Sequence, residues 1–263
     1  MRIALGLEYD GSAFCGWQTQ PGGCGVQDHL QGALSQLAAS PIEVTAAGRT
    51  DTGVHAATQV VHFDTEAVRE AHAWVRGTNA HLPSNARVHW ATETAPDFHA
   101  RYSARARTYR YLLVNAPVAP AILHARAGWY HRPLDVERMA EAAASLVGVQ
   151  DFSAFRDAQC QAKTPVREIT RAQVARCGEL VVFTFRANAF LHHMVRNLVG
   201  SLVYVGAGKH EPAWIAELIA QRDRRHAAPT FAPDGLYLAA ITYDPAFSLP
   251  AFPVHPLLGE IPP

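Results

Sequence analysis

The chain has 263 residues, of which 49% are hydrophobic and 17% charged, and its formal net charge is zero. This composition excludes a disordered chain, and no apolar run reaches the roughly 18 to 20 residues that span a bilayer. Because the first residues lack the layout of a signal peptide, we expect a cytoplasmic protein with no membrane segment.

The first half of the chain mixes strand and helix patterns. Apolar residues alternate over 3–9, which predicts a strand with one buried face. Between Val26 and Leu37 they recur at helical spacing instead, which predicts an amphipathic helix. The predicted strands of this half are 3–9, 44–47, 60–63 and 87–93, and the predicted helices are 26–37 and 71–81.

The second half repeats this mixture. Two strand patterns flank Cys177 and Gly178, which predicts a hairpin turn, and a long helical pattern is closed by Gly206 and Gly208. The predicted strands of this half are 107–114, 169–175, 180–187 and 236–243, and the predicted helices are 136–147, 190–204 and 214–220.

The order of these elements lacks the strict alternation of a doubly wound parallel sheet. It therefore predicts the α+β class, with two similar halves that each contain an antiparallel sheet backed by helices. The predicted domains are 1–103 and 104–247, followed by a Pro-rich tail at 248–263.

Cysteine and histidine spacing predicts no metal site. The cysteines form no C-x-x-C pair, so we expect reduced, scattered thiols rather than a disulfide framework or a zinc site. Adjacent helical residues point about 100° apart, so we expect one of His192 and His193 to be packed and the other to face outwards. The four cysteines are Cys15, Cys24, Cys160 and Cys177.

The arginines are unevenly distributed. No Asp or Glu occurs between Phe98 and Leu134, a stretch with six arginines, and none occurs between Leu180 and His210. Two basic stretches that also carry aromatic residues indicate a local phosphate-binding surface. The alternative is a set of solvated arginine faces, and charge alone does not separate the two interpretations.

The sequence G-R-T-D-T-G-V-H-A at 48–56 carries the clearest chemical signal. It places Asp51 on a loop between two apolar strands, where a rigid scaffold can present the carboxylate to a cleft. Arg49 lies two residues away, and a cation that close would keep Asp51 ionised. An ionised, fixed carboxylate can act as a nucleophile. The alternative for an isolated D-T-G is a polar turn with an Arg-Asp ion pair.

The same three residues, Asp51 to Gly53, match the D-T-G of aspartic proteases. Those enzymes need two carboxylates that share a proton, whereas this chain has no second D-[ST]-G. An adjacent arginine would also oppose proton sharing. A protease would therefore have to be a homodimer with Arg49 turned away.

The whole segment resembles the G-R-T-D-x-G-V-H-A signature of the tRNA pseudouridine synthase A family. The resemblance covers roughly residues 2–244, with the motifs in the order that the family has them. The further matching segments are E-Y-D-G at 8–11, G-W-Q at 16–18, V-Q at 26–27, Q-V-V-H-F at 59–63, F-H-A-R at 98–101, S-A at 103–104, Y-R-Y at 109–111, D-F-S-A-F at 151–155, F-L-H-H-M-V-R-N at 190–197 and G-L-Y-L at 235–238.

The resemblance implies an isomerase that converts uridines 38, 39 and 40 of the tRNA anticodon stem-loop to pseudouridine, with Asp51 as the catalytic nucleophile. Tyr109 matches the tyrosine that stacks on the flipped base, and Arg49 and Arg196 match basic residues near the aspartate and the RNA. It also implies a cleft between the two halves, a homodimer, and no metal or other cofactor. Whether Asp51 attacks the base or the ribose stays open.

Without the resemblance, Tyr109 would be interpreted as a cross-strand aromatic residue of the sheet. Arg196 would be interpreted as an arginine on a helix surface. The chain departs from the family's pattern at Thr52, where alanine is common, and at Phe231, which is bulkier than the residue in the usual T-A-P form. The first change should be tolerated, and the second puts the local loop geometry in doubt. The competing function is a non-catalytic RNA-binding module in which Asp51 is dispensable.

Overall fold

The computed structural model describes residues 1–253, 255 and 257–259. These residues group into two compact units. One unit combines residues 1–106 with the described residues from Tyr237 onwards, and the other is residues 107–236. The domain division into 1–103, 104–247 and 248–263 stays a prediction, and residues 254, 256 and 260–263 of the predicted tail lie outside the described residues.

The described residues form strands and α-helices whose bounds follow in chain order. They are β1 (Arg2–Tyr9), α1 (Val26–Ala38), β2 (Thr45–Ala46), β3 (His55–Asp64), α2 (Ala71–His81), β4 (Ala86–Thr94), β5 (Ala106–Asn115), β6 (Gly128–Tyr130), α3 (Val136–Ala144), β7 (Gly148–Asp151), β8 (Val166–Cys177), β9 (Leu180–Ala187), α4 (Met194–Gly206), α5 (Trp214–Gln221) and β10 (Leu236–Thr242).

The sheet of the first unit has the strand order β4-β1-β3-β10, with β2 also paired to β3. All pairs are antiparallel except β3 with β10, where Tyr237 lies opposite His55. The nine residues of β3 from His55 to Phe63 are all buried. A strand buried on both faces loses the alternation that marks a half-exposed strand, which explains why the sequence predicted only 60–63.

Helices cover one face of this sheet and aromatic side chains cover the other. On the helical face the rings of Phe63 and Trp74 meet edge to face with centroids 5.3 Å apart. On the opposite face Phe98 and Trp90 pack against Phe247 and Phe252, with ring centroids 5.1 and 5.4 Å apart. The described part of the predicted Pro-rich tail therefore contributes to the core of the first unit.

The sheet of the second unit has the order β6-β5-β9-β8-β7, in which only β5 and β6 are parallel. Helix α3 packs against β8 and α4, and a side chain at Gly206 would come within 2.3 Å of the Met139 sulfur. The predicted hairpin turn is confirmed, since Cys177 pairs with Leu180 and Gly178 has a φ of 61°. Both units thus confirm the predicted α+β class.

Several predictions from the sequence were wrong in detail. The helix expected from residue 190 begins at Met194, because His193 adopts a left-handed φ of 58°. The sequence did not predict β6 and β7. Cys15 and Cys24 form a disulfide with Cα atoms 5.4 Å apart, because a backbone bond from the Cys15 amide to the Cys24 carbonyl holds the two segments side by side.

No helix among the described residues has both the length and the apolar character that crossing a bilayer requires. We had expected no membrane segment because the sequence has no apolar run long enough to span a bilayer.

A tight turn over residues 98–103 follows β4 and depends on two histidines. The Nδ1 atom of His62 accepts a hydrogen bond from the Ala100 amide at 3.1 Å. The Nδ1 atom of His99 accepts from the amides of Arg101 and Tyr102, each at 3.2 Å. Burial, followed by the charges of His99 and Arg2, lowers the pKa of His62 to about 4. The neutral ring is therefore the form that the folded protein holds.

We expect the free energy of unfolding to fall by about 1–3 kcal/mol between pH 6.5 and pH 4, because the unfolded chain binds a proton at His62 that the folded chain resists. The contribution of neutral His62 is complete above pH 6.5 and is lost progressively below it. Urea denaturation of wild type and His62→Asn at several pH values measures the effect. Asn keeps an acceptor but does not titrate, so its profile should be flatter, whereas the exposed His72→Asn control should follow wild type. If stability depends on pH in the same way in all three proteins, His62 is not the group responsible.

Candidate active site

The loop between β2 and β3 carries Asp51 in the first unit. The Asp51 side chain is half-buried, and its neighbour Thr50 is buried while Arg49 is exposed. An ion pair between Arg49 and Asp51 stays a prediction. A contact from Arg49 to a substrate stays a prediction.

Thr50 fixes this loop from two directions. Its hydroxyl is 2.8 Å from the hydroxyl of Tyr9, in a buried contact, and its carbonyl accepts a hydrogen bond of 2.9 Å from the Trp17 amide. Burial raises the pKa of Tyr9 to about 12, so the phenol keeps its proton. The residue directly before Asp51 is thus held through both its side chain and its backbone.

Close backbone approaches hold the other side of the loop. The Asp51 carbonyl accepts from the Val54 amide at 3.1 Å across a turn in which Gly53 has a φ of 81°. A Cβ atom on Gly11 would lie 2.0 Å from the Val54 carbonyl oxygen, and one on Gly16 would lie 2.9 Å from that of Thr50. Only glycine allows such approaches, so the segment from Gly11 to Gly16 can lie directly against the loop.

Two buried polar side chains fix the ends of the loop. The Gln59 amide donates a hydrogen bond of 2.7 Å to the Gly48 carbonyl, before Asp51. After Asp51, the Nδ1 atom of His55 accepts from the Gly11 amide at 3.0 Å, and the His55 ring stacks on Tyr237 at 4.6 Å. A carboxylate on a loop fixed at both ends is preorganised, which is what nucleophilic attack on a bound substrate requires.

In the second unit, Tyr109 lies on β5 opposite Phe185 of β9. Its side chain is 9% exposed, and its ring meets Phe190 edge to face with centroids 5.0 Å apart. This packing fixes the plane of the tyrosine ring.

Arg196 lies in the first turn of α4 and is clamped to the loop that contains Phe231. Its Nε atom donates to the Phe231 carbonyl at 2.8 Å, and the Phe231 amide donates to the Arg196 carbonyl at 3.2 Å. The bulky Phe231 ring packs edge to face on Tyr111 instead, at 5.7 Å. The departure at Phe231 is therefore accommodated, because backbone atoms make the contact with Arg196.

The neighbouring residue, Asn197, is fully buried and joins three segments. Its amide donates to the Phe155 carbonyl at 2.9 Å. Its carbonyl oxygen accepts from the Arg224 guanidinium at 3.0 Å and from the Thr230 hydroxyl at 2.7 Å. Both ends of the side-chain amide are therefore satisfied, and the start of α4 is tied to the loop that holds Arg196.

The predicted arrangement of His192 and His193 was wrong. Neither residue is within the helix, and their rings stack with centroids 3.9 Å apart. Both face the carboxylate of Asp157, at 3.4 Å from His192 and 2.8 Å from His193. The left-handed backbone of His193 places both rings on the same side, which helical geometry would not allow.

Arg49 and Asp51 thus belong to the first unit, and Tyr109 and Arg196 to the second. That the four share one cleft stays a prediction. The supporting roles of residues such as Tyr9, Gln59 and Asn197 were not predicted from the sequence. Gln59 did carry a signal, since an amide inside an apolar strand must find a buried hydrogen-bond partner.

Comparison with known proteins gives a consistent answer. A family model described as tRNA pseudouridine synthase matches residues 7–103 and 142–244. A protein of Methylobacillus flagellatus named tRNA pseudouridine synthase A is 59% identical over 250 residues, which cover 95% of this chain and 96% of the relative. One of the same name from Paraburkholderia phymatum is 56% identical over 261 residues, covering 99% and 96%.

Proposed function

This chain belongs to the tRNA pseudouridine synthase family, and from that premise we propose that it converts uridine to pseudouridine at positions 38, 39 and 40 of the tRNA anticodon stem-loop. The family membership confirms the resemblance seen in the sequence. One observation supports Asp51 as the nucleophile: it is the carboxylate of the family signature, and its loop is fixed at Gly48, Thr50 and His55.

In the proposed reaction Asp51 attacks the target nucleoside and the bond between the ribose and N1 of uracil breaks. The uracil turns and bonds to the ribose through C5, and the hydrogen on C5 leaves as a proton while N1 gains one. The bond between Asp51 and the nucleoside breaks again, which restores the carboxylate. The product is an isomer of the substrate, so no electrons are gained or lost overall. Tyr109 would stack on the extruded base, and Arg49 and Arg196 would contact the RNA near Asp51.

The second unit offers a surface suited to RNA phosphates. Strand register puts Arg110, Arg171 and Arg186 on one face of its sheet. Burial, and then the charge of Arg171, lowers the pKa of Arg110. Guanidinium groups that repel one another gain most from a bound polyanion. From the resemblance we further propose that the protein is a cytoplasmic homodimer.

A tRNA that contains 5-fluorouridine tests the chemistry directly. We expect wild-type protein to form an adduct with it that survives a denaturing gel, because fluorine cannot leave C5 as a proton does and the reaction stops before release. The same tRNA with ordinary uridine should give pseudouridine and no lasting adduct. Tight binding of both RNAs without product or adduct would instead indicate the non-catalytic RNA-binding module.

A further inference from the structure

The turn over residues 98–103, here called the Tyr102 turn, presents an aromatic ring to solvent. The Tyr102 side chain is 77% exposed. The Arg101 guanidinium lies 5.7 Å from the centroid of the Tyr102 ring, and the His99 ring lies 4.3 Å from it, tilted by 31°. An exposed tyrosine with a cation and a second ring beside it is a distinctive surface feature, since solvation alone does not require it.

The Tyr102 turn is more rigid than an ordinary surface loop. Besides the bonds to His62 and His99, the His99 amide donates to the Ser103 hydroxyl at 3.0 Å, and the Ser103 amide donates back to the His99 carbonyl at 2.8 Å. From the side, the Tyr243 hydroxyl donates to the Ala100 carbonyl at 2.7 Å. The backbone that carries Tyr102 is therefore held from both ends and from a neighbouring segment.

Holding an exposed ring in one position costs free energy in the isolated protein. Ordering a side chain in solvent loses conformational entropy, and an exposed ring gains little from burial in return. Rings held in place before binding gain affinity because the ordering cost is already met. The Tyr102 turn is thus suited to a ligand with a flat face.

The charges near the turn select the kind of ligand. Arg101 supplies a positive charge at the ring. Arg2, which donates to the Phe98 carbonyl at 2.9 Å, adds a second positive charge. The negative charges are Asp64, to which Arg2 donates at 2.8 and 2.9 Å, and the exposed Asp97, which directly precedes the turn. A flat face next to a cation matches a nucleotide, whose base stacks on aromatic rings and whose phosphate is an anion.

We propose that the Tyr102 turn is a nucleotide-binding subsite for tRNA, in addition to the predicted contacts of Arg49, Tyr109 and Arg196. The Tyr102 ring stacks on an unpaired base, and Arg101 contacts an adjacent phosphate. This subsite rests on the proposed function, because the ligand is the tRNA substrate. It acts in substrate capture and takes no part in the chemical step.

Steady-state kinetics with a tRNA substrate tests the subsite. Tyr102→Leu keeps apolar bulk but removes the aromatic face, and we expect it to raise KM roughly tenfold with little change in kcat. Tyr102→Phe keeps the ring and should raise KM much less. Val68→Ala, at a residue that is 74% exposed in the same unit, is the control for a change of exposed apolar surface and should behave as wild type.

The salt dependence of binding gives a second, independent readout. Removing one phosphate contact with Arg101→Gln should reduce the slope of log affinity against log salt by about 1. Tyr102→Leu should leave that slope nearly unchanged while lowering affinity at every salt concentration.

The outcomes separate the subsite from the proposed function. If wild type forms no pseudouridine in any tRNA, the proposed function fails. If wild type is active and Tyr102→Leu has an unchanged KM, the subsite is wrong and the function stands. A Tyr102→Leu protein that keeps its KM but elutes at a different size would identify a protein contact and also overturn the subsite. Should Tyr102→Leu fold poorly, an unchanged salt slope in Arg101→Gln overturns it instead.

Discussion

Asp51→Asn is expected to lower pseudouridine formation by more than about a thousandfold while leaving the fold intact. The amide has the shape of the carboxylate but cannot form the bond to the nucleoside. The contacts that fix the loop at Thr50 and Gly48 come from neighbouring residues, so they should survive the change. Turnover is measured as pseudouridine released in tRNA, and stability as the urea midpoint.

The matched control for this change is Thr52→Ala. Thr52 is exposed and adjacent to Asp51, and alanine is the residue that the family commonly has there, so activity should stay within a few fold of wild type. A normal rate in Asp51→Asn would mean that another group attacks the nucleoside, and the assignment of Asp51 would be wrong.

Asn197→Ala is expected to lower the free energy of unfolding by about 2–4 kcal/mol. The change leaves the Phe155 carbonyl without its partner in a buried place, and removes a partner from the half-buried Arg224 and Thr230. Activity should fall as well, since the loop that clamps Arg196 loses one of its attachments to α4. Urea denaturation gives the first quantity and single-turnover kinetics the second.

A variant with a smaller change tests this interpretation. Thr230→Val removes one of the hydrogen bonds to Asn197 and a weaker one from Arg224, and leaves the other bonds of Asn197 in place. It should therefore cost about 1 kcal/mol and reduce activity less. Equal stability losses in the two variants would contradict the view that Asn197 joins three segments.

The sequence predicted the α+β class and most elements because the apolar patterns of β1, α1, α2 and β9 are periodic. It failed where periodicity carries no information. The strand β3 is buried on both faces, so more than half of it was missed, and the start of α4 depends on the left-handed backbone of His193. No local rule predicts that a histidine adopts this conformation.

The candidate site shows the same division. The position of Asp51 on a loop was predictable because its signature is continuous in the sequence. Its supports were not, because the contacts of Tyr9 with Thr50 and of Gln59 with Gly48 span 41 and 11 residues. The pairing of Cys15 with Cys24 was missed for a related reason, since it follows from a backbone contact that spacing does not encode.

The composition of the first unit has a consequence for biosynthesis. Its sheet includes β10, which is made after the second unit, whereas residues 107–236 form a continuous segment. Chains emerge from the ribosome N-terminus first, and compact units generally fold as units. The segment with Tyr109 and Arg196 can therefore reach its native packing while translation continues, and the half with Asp51 acquires its last strand only after that segment has been made.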